Sequence, residues 1–177
     1  SLITILVSVV LIFYLKKMQQ SFAYEKTHMT SLFENATEGI LLTSRKGEIV
    51  LANPAAERIF GFSAEELIGS KIEKLIPSRY HHQHIHHRDQ FYHHPSNRSM
   101  GIGRDLYAHR KDGTEFPVEV SLSHYQQRNE TFVIAFIVDI TTRKEAEQRS
   151  EAQRKELEKI SQDIRRLNAD LEGKVEE

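Results

Sequence analysis

Seven of the ten histidines lie between His81 and His94, in a chain that has no cysteine. If that stretch is a helix, His82 and His86 stand four apart and His84 and His87 three apart. Either pair would share a face and could share a metal ion. A metal centre needs further donors, and Asp89 is the only acidic residue close by. The same residues read more simply as a solvated, partly charged helix face, and no metal site is assigned. Downstream, Gly101-Ile102-Gly103 is not a dinucleotide fingerprint. Leu106 stands where the third glycine belongs, and no strand–helix–strand unit surrounds it. No nucleophile–base pair and no phosphate loop occur elsewhere, so the chain itself is expected to catalyse nothing. The missing cysteine removes disulfides, zinc–cysteine sites and thiol nucleophiles. A net charge of −1 argues against a nucleic-acid surface, which would carry a basic excess.

The elements that must position these residues are legible in local patterns. In residues 110–123, Asp112-Gly113 supplies the positive φ of a tight hairpin turn. Phe116, Val118, Val120 and Leu122 then alternate with Glu115, Pro117, Glu119, Ser121 and Ser123, so one face of the strand is buried and one is wet. Pro117 cannot donate to a ladder, so its nitrogen must point away from a neighbouring strand. Upstream, Gly39-Ile40-Leu41-Leu42-Thr43 and Glu48-Ile49-Val50-Leu51-Ala52 read as strands joined by a turn over residues 44–47. A short helix follows, with Pro54 at its first position and Gly61 as its stop. Ser63 and Glu66 have capping-box spacing before a second stop at Gly69. Thr142 and Glu145 repeat that spacing, which places a helix start there.

Three of these segments resemble PAS sensor domains, in family order and over residues 31–145. The strand–strand–helix–helix run is similar to the opening of that fold, and residues 110–123 to its late hairpin. Asp139-Ile140-Thr141-Thr142-Arg143-Lys144-Glu145 resembles the motif at which the last strand hands over to an output helix. The resemblance implies an α+β fold, a five-stranded antiparallel sheet with helices on one face. The light-sensing relatives that bond flavin through a cysteine are excluded by composition.

Within the family, the oxygen-sensing heme-PAS kinases resemble this chain in a further respect. There a helix histidine ligates heme iron, and an arginine twenty residues later, in a Gly-x-Gly-Arg stretch, contacts bound oxygen. Here His84 precedes Arg104 of Gly101-Ile102-Gly103-Arg104 by that spacing. Val120 and Leu122 stand where the family lines its distal pocket, whereas Ser99 departs from a bulky aliphatic position. The resemblance implies heme held by His84, Arg104, Val120 and Leu122. Heme-free PAS domains carry similar residues, so an empty or small-metabolite pocket is the default beside it.

The two ends suggest input and output. Residues 2–15 carry no charge and are followed by Lys16-Lys17. Fourteen helical residues reach only ~21 Å of a ~30 Å hydrocarbon core. Residues 1–17 are therefore expected to be the end of a truncated transmembrane helix. The lysines would place the rest in the cytoplasm, beneath the inner membrane. Residues 18–30 then form a linker helix and residues 31–141 the PAS domain. Residues 142–177 carry nine basic and ten acidic residues, yet Leu157, Ile160, Ile164, Leu167 and Leu171 fall at steps of 3, 4, 3 and 4. That is the seam of a coiled coil, and pairing with a second copy is expected. Residues 168–177 resemble the lead into the phospho-accepting helix of sensor histidine kinases. The expectation is the cytoplasmic sensory segment of a membrane-bound, dimeric kinase whose partners are its kinase core and a response regulator. A ligand-free structural relay and a different effector, such as a cyclic-dinucleotide synthase, are the alternatives.

Overall fold

The computed structural model describes residues 2–93, 96, 98–100 and 106–175. Helix α1 (Leu2–Glu34) leads into strands β1 (Gly39–Thr43) and β2 (Ile49–Ala52), then helices α2 (Pro54–Phe60) and α3 (Ala64–Leu67). Two 3-10 turns, Ile72–Leu75 and Ser78–Tyr80, precede α4 (His81–His93). Strands β3 (Arg98–Met100), β4 (Leu106–His109), β5 (Glu115–Gln127) and β6 (Glu130–Asp139) follow, and α5 (Thr141–Val175) ends the chain. Helix α1 runs unbroken past Lys16-Lys17. Among the described residues no helix is long and apolar enough to cross a membrane.

The sheet is antiparallel in the order β2-β1-β6-β5-β3, with β4 also on β5. Met100 lies opposite Val120 and Leu106 opposite Val118, so β3 and β4 are two pieces of one edge position. Five positions result, as the resemblance to PAS domains implies. The β5–β6 ladder starts at Val118 opposite Asp139, so Pro117 sits just beyond it and its missing N–H leaves no gap there. Leu41, Val118, Ala135 and Ile137 on the sheet pack with Ala56, Phe60, Leu67 and Leu75 from the helices and turns. Phe60 meets Phe116 edge-on at 5.9 Å between centroids, an arrangement that suits the ring quadrupoles.

Local start and stop signals act where expected. Ser63 and Glu66 form a reciprocal capping box, and Gly61 closes α2 at φ 75°, in the left-handed region. The start of α5 differs. Asp139, rather than Thr142, holds its first turn: Asp139 Oδ1 accepts from Thr141 N–H at 2.9 Å and from Thr141 Oγ1 at 2.6 Å. The helix consequently begins at Thr141, two residues before the Arg143 start that a Thr142–Glu145 capping box implies. Asp139 Oδ2 takes Arg110 Nη2 at 2.6 Å, while Arg110 also donates to the Ile59 carbonyl and covers the Phe116 ring at 3.7 Å. Burial opposes ionisation of Asp139, but these hydrogen bonds and the guanidinium hold its carboxyl below the usual range. The hairpin, the end of α2 and the root of α5 are thereby tied at one carboxylate. Arg143 adds an ion pair to Glu119 on β5, and from Glu145 to Asn168 the α5 side chains are exposed.

Asn53 is a second tie, 0% exposed. Its Oδ1 accepts from Ile40 N–H at 2.8 Å and from Ala56 N–H at 2.9 Å. Its Nδ2 donates to the carbonyls of Phe33 at 3.2 Å and Glu38 at 3.0 Å. One side chain therefore caps α2 and joins β1 to the end of α1. Asn53→Ala is expected to destabilise the chain by roughly 3 kcal/mol, the sum of a lost cap and buried groups left unpaired. Urea titration of both proteins checks this; a loss under about 1 kcal/mol would mean that water replaces the ties.

Candidate functional site

Helix α4 is held across the open side of the sheet by contacts at both ends. Arg79 forms a two-point ion pair with Glu115 at 2.5 Å each, which anchors the turn before α4 to the start of β5. The His81 ring nitrogen Nε2 lies 2.7 Å from the Ile76 carbonyl. At the other end Phe91 is buried, and its ring meets the His124 ring edge-on at 6.3 Å. Of the histidines, His82, His86 and His87 are exposed, whereas His84 turns toward the sheet. Among the described residues no group of three histidine or acidic side chains is assembled for a metal ion.

Between α4 and the sheet lies a cavity of about 730 Å³. Small-ligand and cofactor pockets span ~300–1,000 Å³, so the space is of working size. The sheet contributes Leu41, Val118, Val120, Leu122, Val133 and Ala135, Met100 closes one edge, and Ile72, Leu75 and Ile76 come from the connecting turn. Helix α4 contributes His84, His87, Arg88, Phe91 and Tyr92. The sheet side is thus mostly apolar, with Thr43 and Tyr107 as its polar members, and α4 contributes His84, His87, Arg88 and Tyr92.

Those donors are organised around a buried acid. Glu73, on the turn Ile72–Leu75, is 8% exposed. Its Oε1 lies 3.0 Å from His84 Nδ1 and 2.6 Å from Arg88 Nη1. Arg88 reaches it past Gly47, where φ is +73° and a Cβ would clash with the Arg88 guanidinium. Only glycine serves there, both for the turn and for the guanidinium. Arg88 Nε is buried and has no hydrogen-bond partner among the described residues. Tyr92 donates to the Ser44 carbonyl at 2.5 Å, and burial raises its phenol above the ordinary range. Burial also holds the His84 imidazole below its usual range; the hydrogen bond to Glu73 opposes the shift without cancelling it. Burial thus favours the neutral imidazole at His84, the form that ligates metals.

Of the residues singled out in the sequence, His84, Val120 and Leu122 meet on this one cavity. Arg104, with Gly101, Ile102 and Gly103, lies outside the described residues. Glu73, Arg88 and Gly47 escaped the sequence reading. A usable signal existed for Arg88, which stands one helical turn from His84. Glu73 sits beside Lys74 in Ile72-Glu73-Lys74-Leu75 and reads as an ordinary charged turn residue.

Comparison with known proteins follows the same outline. A family model described as the PAS fold matches residues 27–140. The sensor protein FixL of Bradyrhizobium diazoefficiens is 27% identical over 146 residues, covering 82% of this chain and 29% of that protein. The oxygen sensor protein DosP of Escherichia coli is 30% identical over 104 residues, 57% of this chain and 13% of its own length. Sporulation kinase C of Bacillus subtilis is 33% identical over 119 residues, 66% of this chain and 26% of its own. The chain spans less than a third of each of these relatives.

Proposed function

The chain belongs to the PAS fold family, and from that premise we propose that it is the ligand-sensing segment of a membrane-anchored sensor histidine kinase. The observation that carries the sensing role is the cavity of about 730 Å³ with His84, Val120 and Leu122 on its walls. Heme fits this set: an unprotonated imidazole is a good iron ligand, and apolar walls keep bulk water from the iron. The oxygen-sensor relative points the same way. When bound, heme would supply an iron centre for a diatomic gas. His84 would hold it from α4, Val120 and Leu122 would exclude water opposite, and Arg104 is proposed as the donor to the bound gas.

Output would pass through α5. The tie at Asp139 joins its first turn to the hairpin next to the cavity, so a shift in the sheet reaches the helix root. The exposed Leu157, Ile160, Ile164 and Leu167 support pairing of α5 with a second copy as a parallel coiled coil. At the other end, the uncharged run of residues 2–15 before Lys16-Lys17 supports attachment to the inner membrane, with the PAS domain cytoplasmic. A kinase core and a response regulator are the proposed downstream partners, supported by the kinase relative.

If paired helices transmit by rotation or register, deleting one residue near Gln153 turns everything after it by ~100°. Deleting seven nearly restores the phase. Autophosphorylation of the full-length protein is therefore expected to depend on deletion length with a period near seven. A steady loss with length would replace the register model by a simple tether. Failure of the parent to label itself at all would favour another effector, such as a cyclic-dinucleotide synthase.

A further inference from the structure

Glu73 brings two donors to a single atom. Its Oε1 accepts from Arg88 Nη1 at 2.6 Å and lies 3.0 Å from His84 Nδ1. Arginine is a donor only, so Oε1 is fixed as an acceptor, and a carboxylate oxygen offers His84 nothing but lone pairs. A neutral imidazole facing an acceptor at Nδ1 carries its proton there and keeps a lone pair at Nε2. Among the described residues Nε2 has no partner, while the ring lines the cavity.

We propose that Glu73 is a positioning residue that fixes His84 as the Nδ1–H tautomer, so that Nε2 is the atom offered to the cavity's ligand. Arg88 completes the device from α4 by holding the carboxylate in place, and Gly47 leaves room for it to do so. The three residues come from the β1–β2 turn, the 3-10 turn and α4, so the orientation of one ring depends on how these three segments sit together. The consequence for a bound iron rests on the heme reading; the tautomer does not.

The tautomer can be read in the full chain, labelled with 15N-histidine, from long-range 1H–15N correlations at pH 8, where imidazoles are neutral. His84 is assigned by the signal lost in His84→Gln. The expected pattern is a protonated Nδ1 and an unprotonated Nε2. A protonated Nε2, or an averaged mixture, in the wild type overturns the proposal without any further variant. Glu73→Ala should move His84 to an averaged or reversed pattern, and Glu73→Gln, which keeps an acceptor oxygen, should retain more of the original one. If Glu73→Ala does not fold, the wild-type and Glu73→Gln spectra still decide. Heme titration gives the second readout: Glu73→Ala should weaken uptake by about 10–100-fold, as loss of a ligand's hydrogen-bonded support usually does. Equal uptake by wild type and Glu73→Ala overturns the positioning role. A wild type that takes up no heme yet shows the Nδ1–H pattern sinks the heme reading and leaves the tautomer standing.

Discussion

Replacing Ile160 and Ile164 together by Asp is expected to convert the chain from a dimer to a monomer. In the single chain the α5 stripe lies in water: Leu157 is 67% exposed, Ile160 45%, Ile164 53% and Leu167 61%. Apolar side chains repeating at steps of three and four form one seam, and the faces beside it are charged. Those faces stabilise the helix locally, as in the pairs Glu151–Lys155 and Arg154–Glu158, but they bury nothing. Only a partner helix removes the stripe from solvent, and each side chain fully buried contributes ~1.5–3 kcal/mol. Two aspartates per helix would put four carboxylates into that dry seam, at a cost of several kcal/mol each unless they protonate. Sedimentation velocity of the wild type and the double variant decides. A wild-type dimer beside a monomeric variant is the expected result, and an unchanged mass for the variant would move the contact elsewhere, for example to α1.

Much of the fold is legible in the sequence because its punctuation is local. The Ser63–Glu66 box, the Gly61 stop and the Gly113 turn need only a few adjacent residues, and each appears where its spacing implies. The alternation from Phe116 to Leu122 likewise fixes which side chains face the helices. What escaped depends on contacts far apart in sequence. Asn53 reads as an ordinary residue before Pro54, yet it bonds Phe33, Glu38 and Ile40 as well as its own helix. The box spacing at Thr142 was overridden by Asp139, whose position is set by Arg110 from another hairpin.

The site divides in the same way. His84, Val120 and Leu122 were accessible through a resemblance in spacing, and the fold brings all three to one cavity. Glu73 was not, because its meeting with His84 and Arg88 depends on the angle between a 3-10 turn and α4. Within the described part of the histidine run, His82, His86, His87 and His93 are exposed, and His84 and His87 border the cavity.

His84→Ala is expected to abolish stoichiometric heme binding, while His87→Ala, one helical turn away on the same cavity, preserves it. The contrast matters because exposed His82, His86 and His87 can hold heme loosely at the surface, so colour alone would mislead. Only a half-buried ring that shares the cavity wall with apolar Val120 and Leu122, and whose burial favours the neutral form, should bind one heme per chain in a defined coordination. Losing the imidazole that would hold the iron should make the change close to all-or-none, unlike the graded loss expected at Glu73. The measurement is the absorption spectrum of the purified 177-residue chain after addition of one equivalent of heme and removal of the excess, beside both variants. The account predicts a sharp, saturable spectrum for the wild type and His87→Ala that is missing in His84→Ala. A wild type that retains no heme, or three proteins with the same spectrum, would contradict it.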